Sequence, residues 1–350
     1  MGDGSAYDAV VVVSFGGPEG PDEVRPFLER VTAGRGVPAA RLDAVAEHYH
    51  RFGGVSPING HNRALVAALG PELAGHGIEL PVYWGNRNWH PLLADTLAQM
   101  RDDGVRRALA LVTSAFGSYS GCRQYLEDIE RARAEIGAGA PVVDKLRLFY
   151  NHPGFVAAVA DGLSATVRDA AAEGGAEPSV LFTAHSIPES MAASSPYEHQ
   201  LRTAAGLVAE ASGVDRWELV YQSRSGSPAQ PWLGPDILER LRASEPGRAI
   251  VACPVGFVAD HMEVVYDLDT EAAGLAAELG IAWRRAPTAG THPRFVSMVR
   301  ELIQERLDPT APRAALGPDG PWPDHCPAGC CPPPPRPAGP AGDRTVGAAR

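Results

Sequence analysis

Residues 249–271 read A-I-V-A-C-P-V-G-F-V-A-D-H-M-E-V-V-Y-D-L-D-T-E, and a change of period inside this stretch decides the fold. The apolar run over 250–258 has the character of a buried strand. Asp260, His261 and Glu263 follow at once. From there Val264, Val265, Leu268 and Leu275 form an apolar stripe at helical spacing. On such a helix Glu263, Asp267 and Glu271 lie four apart and share one face. Three stacked carboxylates repel one another, so this face needs a cation or a proton to compensate. A solvated acidic face is the plain alternative. The position at the carboxyl end of a buried strand favours a ligand, because that is where open α/β sheets bind them.

Working outward, the same strand-to-helix rhythm fills the chain. Strands are expected over 9–14, 80–84, 108–113, 142–149, 179–184, 217–222 and 281–285. Helices are expected over 21–31, 39–50, 62–74, 91–101, 122–135, 154–172, 198–212, 235–242 and 294–307. Alternation with short connections predicts parallel sheets covered by helices on both faces. The fold class is therefore α/β: two similar doubly wound, Rossmann-like domains with a cleft between them. The expected boundaries are 1–150, 151–307 with the last helix packing back on the first domain, and a proline- and glycine-rich tail over 308–350. That tail lacks the apolar residues for a core and is expected to be largely extended or disordered.

Composition narrows the function. The 350 residues, 45% of them hydrophobic, suffice for two cores. A net charge of −11 argues against a nucleic-acid partner. No apolar run approaches the roughly 20 residues of a membrane span. The polar start suggests no targeting leader, so a cytoplasmic monomer is expected. Lys145 is the single lysine in a chain otherwise basic through arginine, which reads as a compositional trend without functional content. Phe15-Gly16-Gly17 and Phe52-Gly53-Gly54 match no nucleotide-binding loop. They are tight turns, or places where backbone approaches a flat ligand.

Two further groups carry chemistry. His185 closes the strand Val180-Leu181-Phe182-Thr183-Ala184, at a carboxyl end like that of Asp260 and His261. Histidine with carboxylates suits a divalent metal or proton transfer near neutrality. No G-x-S-x-G elbow or H-E-x-x-H helix is present. Of five cysteines, Cys253 falls inside the apolar strand and belongs to the core. Cys122, Cys326, Cys330 and Cys331 remain, the number that a [2Fe–2S] cluster takes. Zinc in the same four-thiolate set, or incidental thiols on a loose tail, are the rivals.

Together, Ser14-Phe15-Gly16-Gly17-Pro18, Gly53-Gly54-Val55-Ser56-Pro57, Thr183-Ala184-His185-Ser186-Ile187-Pro188, Tyr221-Gln222-Ser223-Arg224 and Gly256-Phe257-Val258-Ala259-Asp260-His261-Met262-Glu263 resemble the ferrochelatase family, which inserts ferrous iron into a porphyrin. The resemblance spans about residues 9–307. It implies that His185 and Glu263 face each other at the metal as the catalytic pair. Asp267 and Glu271 would continue as a path for hydrated iron or protons. It also implies a porphyrin set of Phe15, Ser56, Arg35, Arg51 and Tyr125, with Phe15 standing where many bacterial relatives carry a tyrosine. Some members, actinobacterial ones included, hold a [2Fe–2S] cluster on one internal and three C-terminal cysteines, here Cys122, Cys326, Cys330 and Cys331. Such a cluster would anchor the start of the tail on the first domain. The substrate expected is coproporphyrin III with Fe2+, giving coprohaem. Protoporphyrin IX, or a non-catalytic tetrapyrrole carrier on the same fold, is the alternative.

Overall fold

The computed structural model describes residues 7–34, 36–174, 177–226, 230–327 and 329–333. The first half runs β1 (Ala9–Ser14), α1 (Pro21–Val31), α2 (Ala39–His50), α3 (Ile58–Gly75), β2 (Val82–Asn86), α4 (Leu93–Asp102) and β3 (Arg107–Val112). A π-helical turn (Tyr119–Arg123) then leads straight into α5 (Gln124–Ile136), followed by β4 (Val142–Lys145). The second half runs α6 (Pro153–Gly174), β5 (Ser179–His185), α7 (Glu189–Ala193), α8 (Tyr197–Ser212), β6 (Trp217–Gln222), α9 (Ile237–Arg242), β7 (Ala249–Cys253) and α10 (Met262–Tyr266). A second π-helical turn (Asp267–Ala272), α11 (Ala273–Glu278), β8 (Ala282–Arg285) and α12 (Pro293–Leu307) complete it.

The strands form two four-stranded parallel sheets, β2-β1-β3-β4 and β6-β5-β7-β8. The two orders are the same once the second set is renumbered, so the halves share a topology. Every residue of β1, A-V-V-V-V-S, is buried, as a central parallel strand covered on both faces requires. Burying one such valine contributes about 1.5–3 kcal/mol, so this run alone commits the chain to a sheet interior.

Three elements differ from the sequence-based expectation. The apolar run over 250–258 is strand only to Cys253. Pro254 then removes the backbone donor that a ladder needs. The strand expected over 142–149 stops at Lys145, beyond which Leu146, Leu148, Phe149 and Tyr150 turn into the core shared by both halves. The acidic helix is not a uniform α-helix, because its middle is the π-helical turn at Asp267–Ala272.

The expectation of a loose tail also needs correction. Residues 308–327 and 329–333 contain no helix or strand, yet they are bound to the body; 334–350 lie outside the described residues. Leu316 N–H donates to the Asn151 carbonyl at 2.8 Å, Asn151 Nδ2 to the Gly320 carbonyl at 2.9 Å, and the Tyr150 hydroxyl to Asp319 at 2.8 Å. Buried polar groups at the junction demand partners, and the tail backbone supplies them. Helix α12 joins the halves from the other side. Arg300 on α12 reaches Glu72 on α3 at 3.2 Å, and Arg147 holds Glu305 through two bonds of 2.7 Å with both side chains about as buried as any in the protein.

A buried ion pair that loses one member leaves an uncompensated charge. Glu305→Leu should therefore lower the unfolding free energy in urea by about 3–5 kcal/mol. A loss below about 1 kcal/mol would mean that the Ala314 carbonyl, which Arg147 also contacts, satisfies the guanidinium alone.

Candidate functional site

The site is built where β5 ends. His185 is its last residue and pairs in register with Gln222, the last of β6. The segment after β7 folds back over this end because Gly256 has no side chain. A methyl group there would lie 2.6 Å from the Ala184 Cβ, and Gly256 N–H bonds the Thr183 carbonyl at 3.0 Å. That approach sets the start of α10 above His185. His261 caps α10, its Nδ1 accepting from the Val264 N–H. The other ring nitrogen of His261 stands 3.6 Å from Glu263 Oε2, and His185 Nε2 stands 3.7 Å from the same oxygen.

These contacts fix the proton positions. His185 Nδ1–H donates to the Ser186 carbonyl at 2.6 Å, so a neutral ring presents the lone pair of Nε2 to Glu263. Burial would lower the His185 pKa, but the Glu263 charge and bond, the Ser186 carbonyl and Asp267 outweigh it, and the imidazole sits above its ordinary value. Burial would raise Glu263, yet His185 and then His261 hold it down at about 2. Burial wins at His261, which is lowered despite Glu263. The pair thus favours charge on both members, with Glu263 as carboxylate and the His185 imidazole holding a proton more readily than usual.

The acidic line continues as the spacing implies, with exposure increasing from Glu263 and Asp267 to exposed Glu271. Gln222 Nε2 bridges the Glu263 carbonyl at 3.1 Å and Asp267 Oδ2 at 3.3 Å, and the Ser223 hydroxyl bonds the same carboxyl. Burial raises Asp267 to about 7; Ser223 opposes this, and the charges of Glu263 and Glu271 add to it. Glu271 is raised by burial and by Asp236, with Arg51 opposing. The line does not close into a cage. Among the described residues no three His, Cys, Asp or Glu side chains converge as a ready holder for one metal ion. Asp260 stands apart, bound to Arg285 at 3.0 and 3.1 Å and to Thr288 at 3.0 Å, where it braces the segment entering α10.

The sequence-based porphyrin set is spread out. Phe15 is half-buried, packed edge-on against Phe27 at 6.3 Å beneath Arg87. Ser56 is buried under Gly17, where an added methyl would lie 2.6 Å from its Cβ. Tyr125 is buried in the core of the first half beneath Arg87 rather than on an open face. Arg51 is exposed and lies over the Tyr266 ring at 5.9 Å, facing the acidic helix. Arg35 lies outside the described residues. Beside Arg51, His48 stacks on Tyr266 at 3.7 Å, so α2 reaches the second half at the mouth of the site.

The four cysteines do not form a ready holder for one metal ion: among the described residues no three His, Cys, Asp or Glu side chains converge in that way. Cys122 accepts from the Lys145 ammonium at 3.0 Å, and the Cys330 and Cys331 sulfurs are 3.6 Å apart. The bond to Cys122 holds the Cys326 thiol down at about 7, whereas burial pushes Cys331 up to about 12. Cys253 is fully buried in β7, its thiol raised by burial alone.

The ferrochelatase family profile matches residues 7–307. A ferrochelatase of Rhodopirellula baltica is 54% identical over 343 residues, covering 97% of each chain. The chain belongs to the ferrochelatase family. Within that family, proteins named coproporphyrin III ferrochelatase from Streptomyces griseus and Nocardia farcinica are each 51% identical, covering 94% and 95% of this chain and 94% and 99% of their own. Among solved structures, the sirohydrochlorin chelatase SirB of Bacillus subtilis subspecies spizizenii in complex with cobalt superposes with a TM-score of 0.51 at 13% identity. It covers 87% of this chain and 96% of its own, a likeness of fold alone.

Sequence reading quoted Gln222 and Ser223 without giving them a part, and it left His261 as one more polar group. The available signal was position: Gln222 ends β6, Ser223 follows it, and His261 lies beyond β7, and both strands pair with β5. Ser223 also adopts a left-handed backbone, φ 64°, uncommon for a residue with a side chain, and this aims its hydroxyl at Asp267.

The raised Asp267 pKa has a fixed sign. Between its usual 3.8 and about 7 the folded protein holds more protons than the unfolded chain, so stability falls as pH rises through that window. Asp267→Asn should remove this fall. Relative to the parent, its urea midpoint should improve from pH 4.5 to pH 7.5. A constant difference at both pH values would mean that Asp267 titrates normally.

Proposed function

We propose that the protein inserts ferrous iron into coproporphyrin III to give coprohaem, a lyase reaction carried by the facing pair His185 and Glu263. The halves 1–150 and 151–307 clasp the porphyrin. The observation that carries this is the 3.7 Å approach of His185 Nε2 to Glu263 at the carboxyl end of β5, inside a chain of this family. The named relatives support the substrate choice, and four propionates give arginines such as Arg51 carboxylates to pair with.

Insertion must remove two pyrrole protons while a hydrated dication is delivered. The His185 imidazole holds a proton more readily beside Glu263. It takes the first pyrrole proton on Nε2 and passes it through Asp267 and exposed Glu271 to solvent as the dication reaches Glu263. Nε2, free again, takes the second by the same route. Carboxylates are hard ligands that bind dications exchangeably, so an open line suits passage better than a closed cage.

Cys122, Cys326, Cys330 and Cys331 are all unbridged, and the Cys330 and Cys331 sulfurs lie 3.6 Å apart; we further propose, on the family resemblance alone, that the four would hold a [2Fe–2S] group, which takes two thiolates on each iron. Such a cluster would supply structural cross-linking or a redox-sensitive anchor for the tail.

His185→Ala and Glu263→Gln should each slow iron insertion at least ~100-fold, the usual worth of a proton-transfer group, with porphyrin fluorescence quenching on binding retained. Near-parental rates would remove the assignment. Coproporphyrin III should turn over faster than protoporphyrin IX in the same assay; the reverse order would favour protohaem synthesis, as the plainer name of the Rhodopirellula relative allows. Anaerobically purified protein should be coloured, with iron and labile sulfide in equal amount. A colourless, iron-free protein would end the cluster reading.

A further inference from the structure

Arg285 ends β8, the edge strand of the second sheet, and its guanidinium is shared between two carboxylates. Nε and one terminal nitrogen donate to Asp269 at 2.6 and 2.9 Å. That nitrogen and the other terminal one donate to Asp260 at 3.0 and 3.1 Å. Asp260 takes a further bond from Thr288, and Gly290 N–H bonds the Val258 carbonyl at 2.7 Å, so the chain after β8 lies against the segment entering α10. The two carboxylates are not neighbours in sequence. Asp260 precedes the His261 cap, and Asp269 lies inside the π-helical turn Asp267–Ala272. Glu263 and Asp267 fall between them. One planar group therefore holds both ends of the segment that carries the two innermost carboxylates of the acidic line.

That segment needs holding. α10 has five residues and the π-helical turn six, and the change of hydrogen-bond period between them leaves the offset of Asp267 from Glu263 open to adjustment. On the inner side Gln222 spans the Glu263 carbonyl and Asp267. Asp269 is two positions from Asp267 and faces another way, so Arg285 acts from the outer side. The Arg285 and Asp260 side chains are only 16% and 19% exposed, and a sheltered bidentate pair fixes orientation as well as charge.

We infer that Arg285 is a positioning residue for iron insertion: by bridging Asp260 and Asp269 it fixes the offset of Asp267 from Glu263, and with it the spacing of the carboxylates that meet the dication. The inference rests on the function proposed above and adds a residue to it. Arg285 acts through the segment it holds and not on the reacting atoms. The geometry calls for arginine. A guanidinium offers donors along two edges of one plane, whereas a compact ammonium on a flexible stem cannot hold two carboxylates in a fixed relative orientation. Lysine keeps the charge and loses the bridge.

The test measures steady-state iron insertion into coproporphyrin III and protoporphyrin IX by full-length parent, Arg285→Met, Arg285→Lys, Asp269→Asn and the double variant Arg285→Met with Asp269→Asn. Porphyrin fluorescence quenching and the thermal unfolding midpoint report on binding and folding. Arg285→Met should raise the iron KM and lower kcat/KM for iron at least ~10-fold, within the ~100-fold that misplacing a reacting group by ~1 Å can cost, with porphyrin binding parental. Arg285→Lys should fall with it. Asp269→Asn should move the same way, and the double variant should lose no more than Arg285→Met alone, because the bridge is already gone. A smaller folded fraction lowers kcat and leaves the iron KM alone, so a parental KM in Arg285→Met overturns the inference while the function stands. Parental kinetics in Arg285→Lys, or additive losses in the double variant, overturn it too. A parent that inserts iron into neither porphyrin removes the proposed function and this inference together. If Arg285→Met does not fold, Asp269→Asn decides: a raised iron KM supports the bridge and a parental one ends it.

Discussion

The close contact between Gly256 and Ala184 is the constraint on which the rest depends. Only a residue without a side chain lets the segment after β7 ride across the end of β5. Because it does, the cap of α10 lands above His185 and three ionisable groups meet within 4 Å. Each group shifts another from its ordinary state, and burial works against charging all of them. Two imidazoles hold the Glu263 pKa down, and Glu263 in turn raises that of His185. The pair is thus poised to be disturbed by one arriving charge.

Much of this was legible in sequence. Buried parallel strands declare themselves as unbroken apolar runs, and β1 and β5 were readable for that reason. Glu263, Asp267 and Glu271 were readable because four-residue spacing survives in a helix of slightly altered pitch. What pattern could not supply was depth and direction. Ser56 and Tyr125 carry the right groups, yet tertiary packing places Ser56 beneath Gly17 and Tyr125 in the core. The partners of Asp267 also escaped notice, since Gln222 and Ser223 meet it only through a strand neighbour.

The tail gives the clearest contrast between composition and structure. A segment rich in proline and glycine builds no core of its own, though Leu316 and Trp322 pack against the one beside it. It can still serve as a partner for polar groups that a core leaves bare. Arg147, Tyr150 and Asn151, all buried at the junction of the halves, find their acceptors and donors on residues 314–320. The same contacts fix residues 314–320 on the junction ahead of Cys326, Cys330 and Cys331.

Both chemical centres share a backbone device. Cys122 sits in one π-helical turn and Asp267 with Glu271 in the other, each running directly into an ordinary α-helix. A π-turn holds one residue more than the α-turn it replaces. In hereditary terms that is the trace a one-codon insertion leaves in a helix, and everything downstream rotates relative to everything upstream. Two halves of one strand order can therefore each re-aim a side chain by lengthening one helix by a residue, with the order of strands untouched.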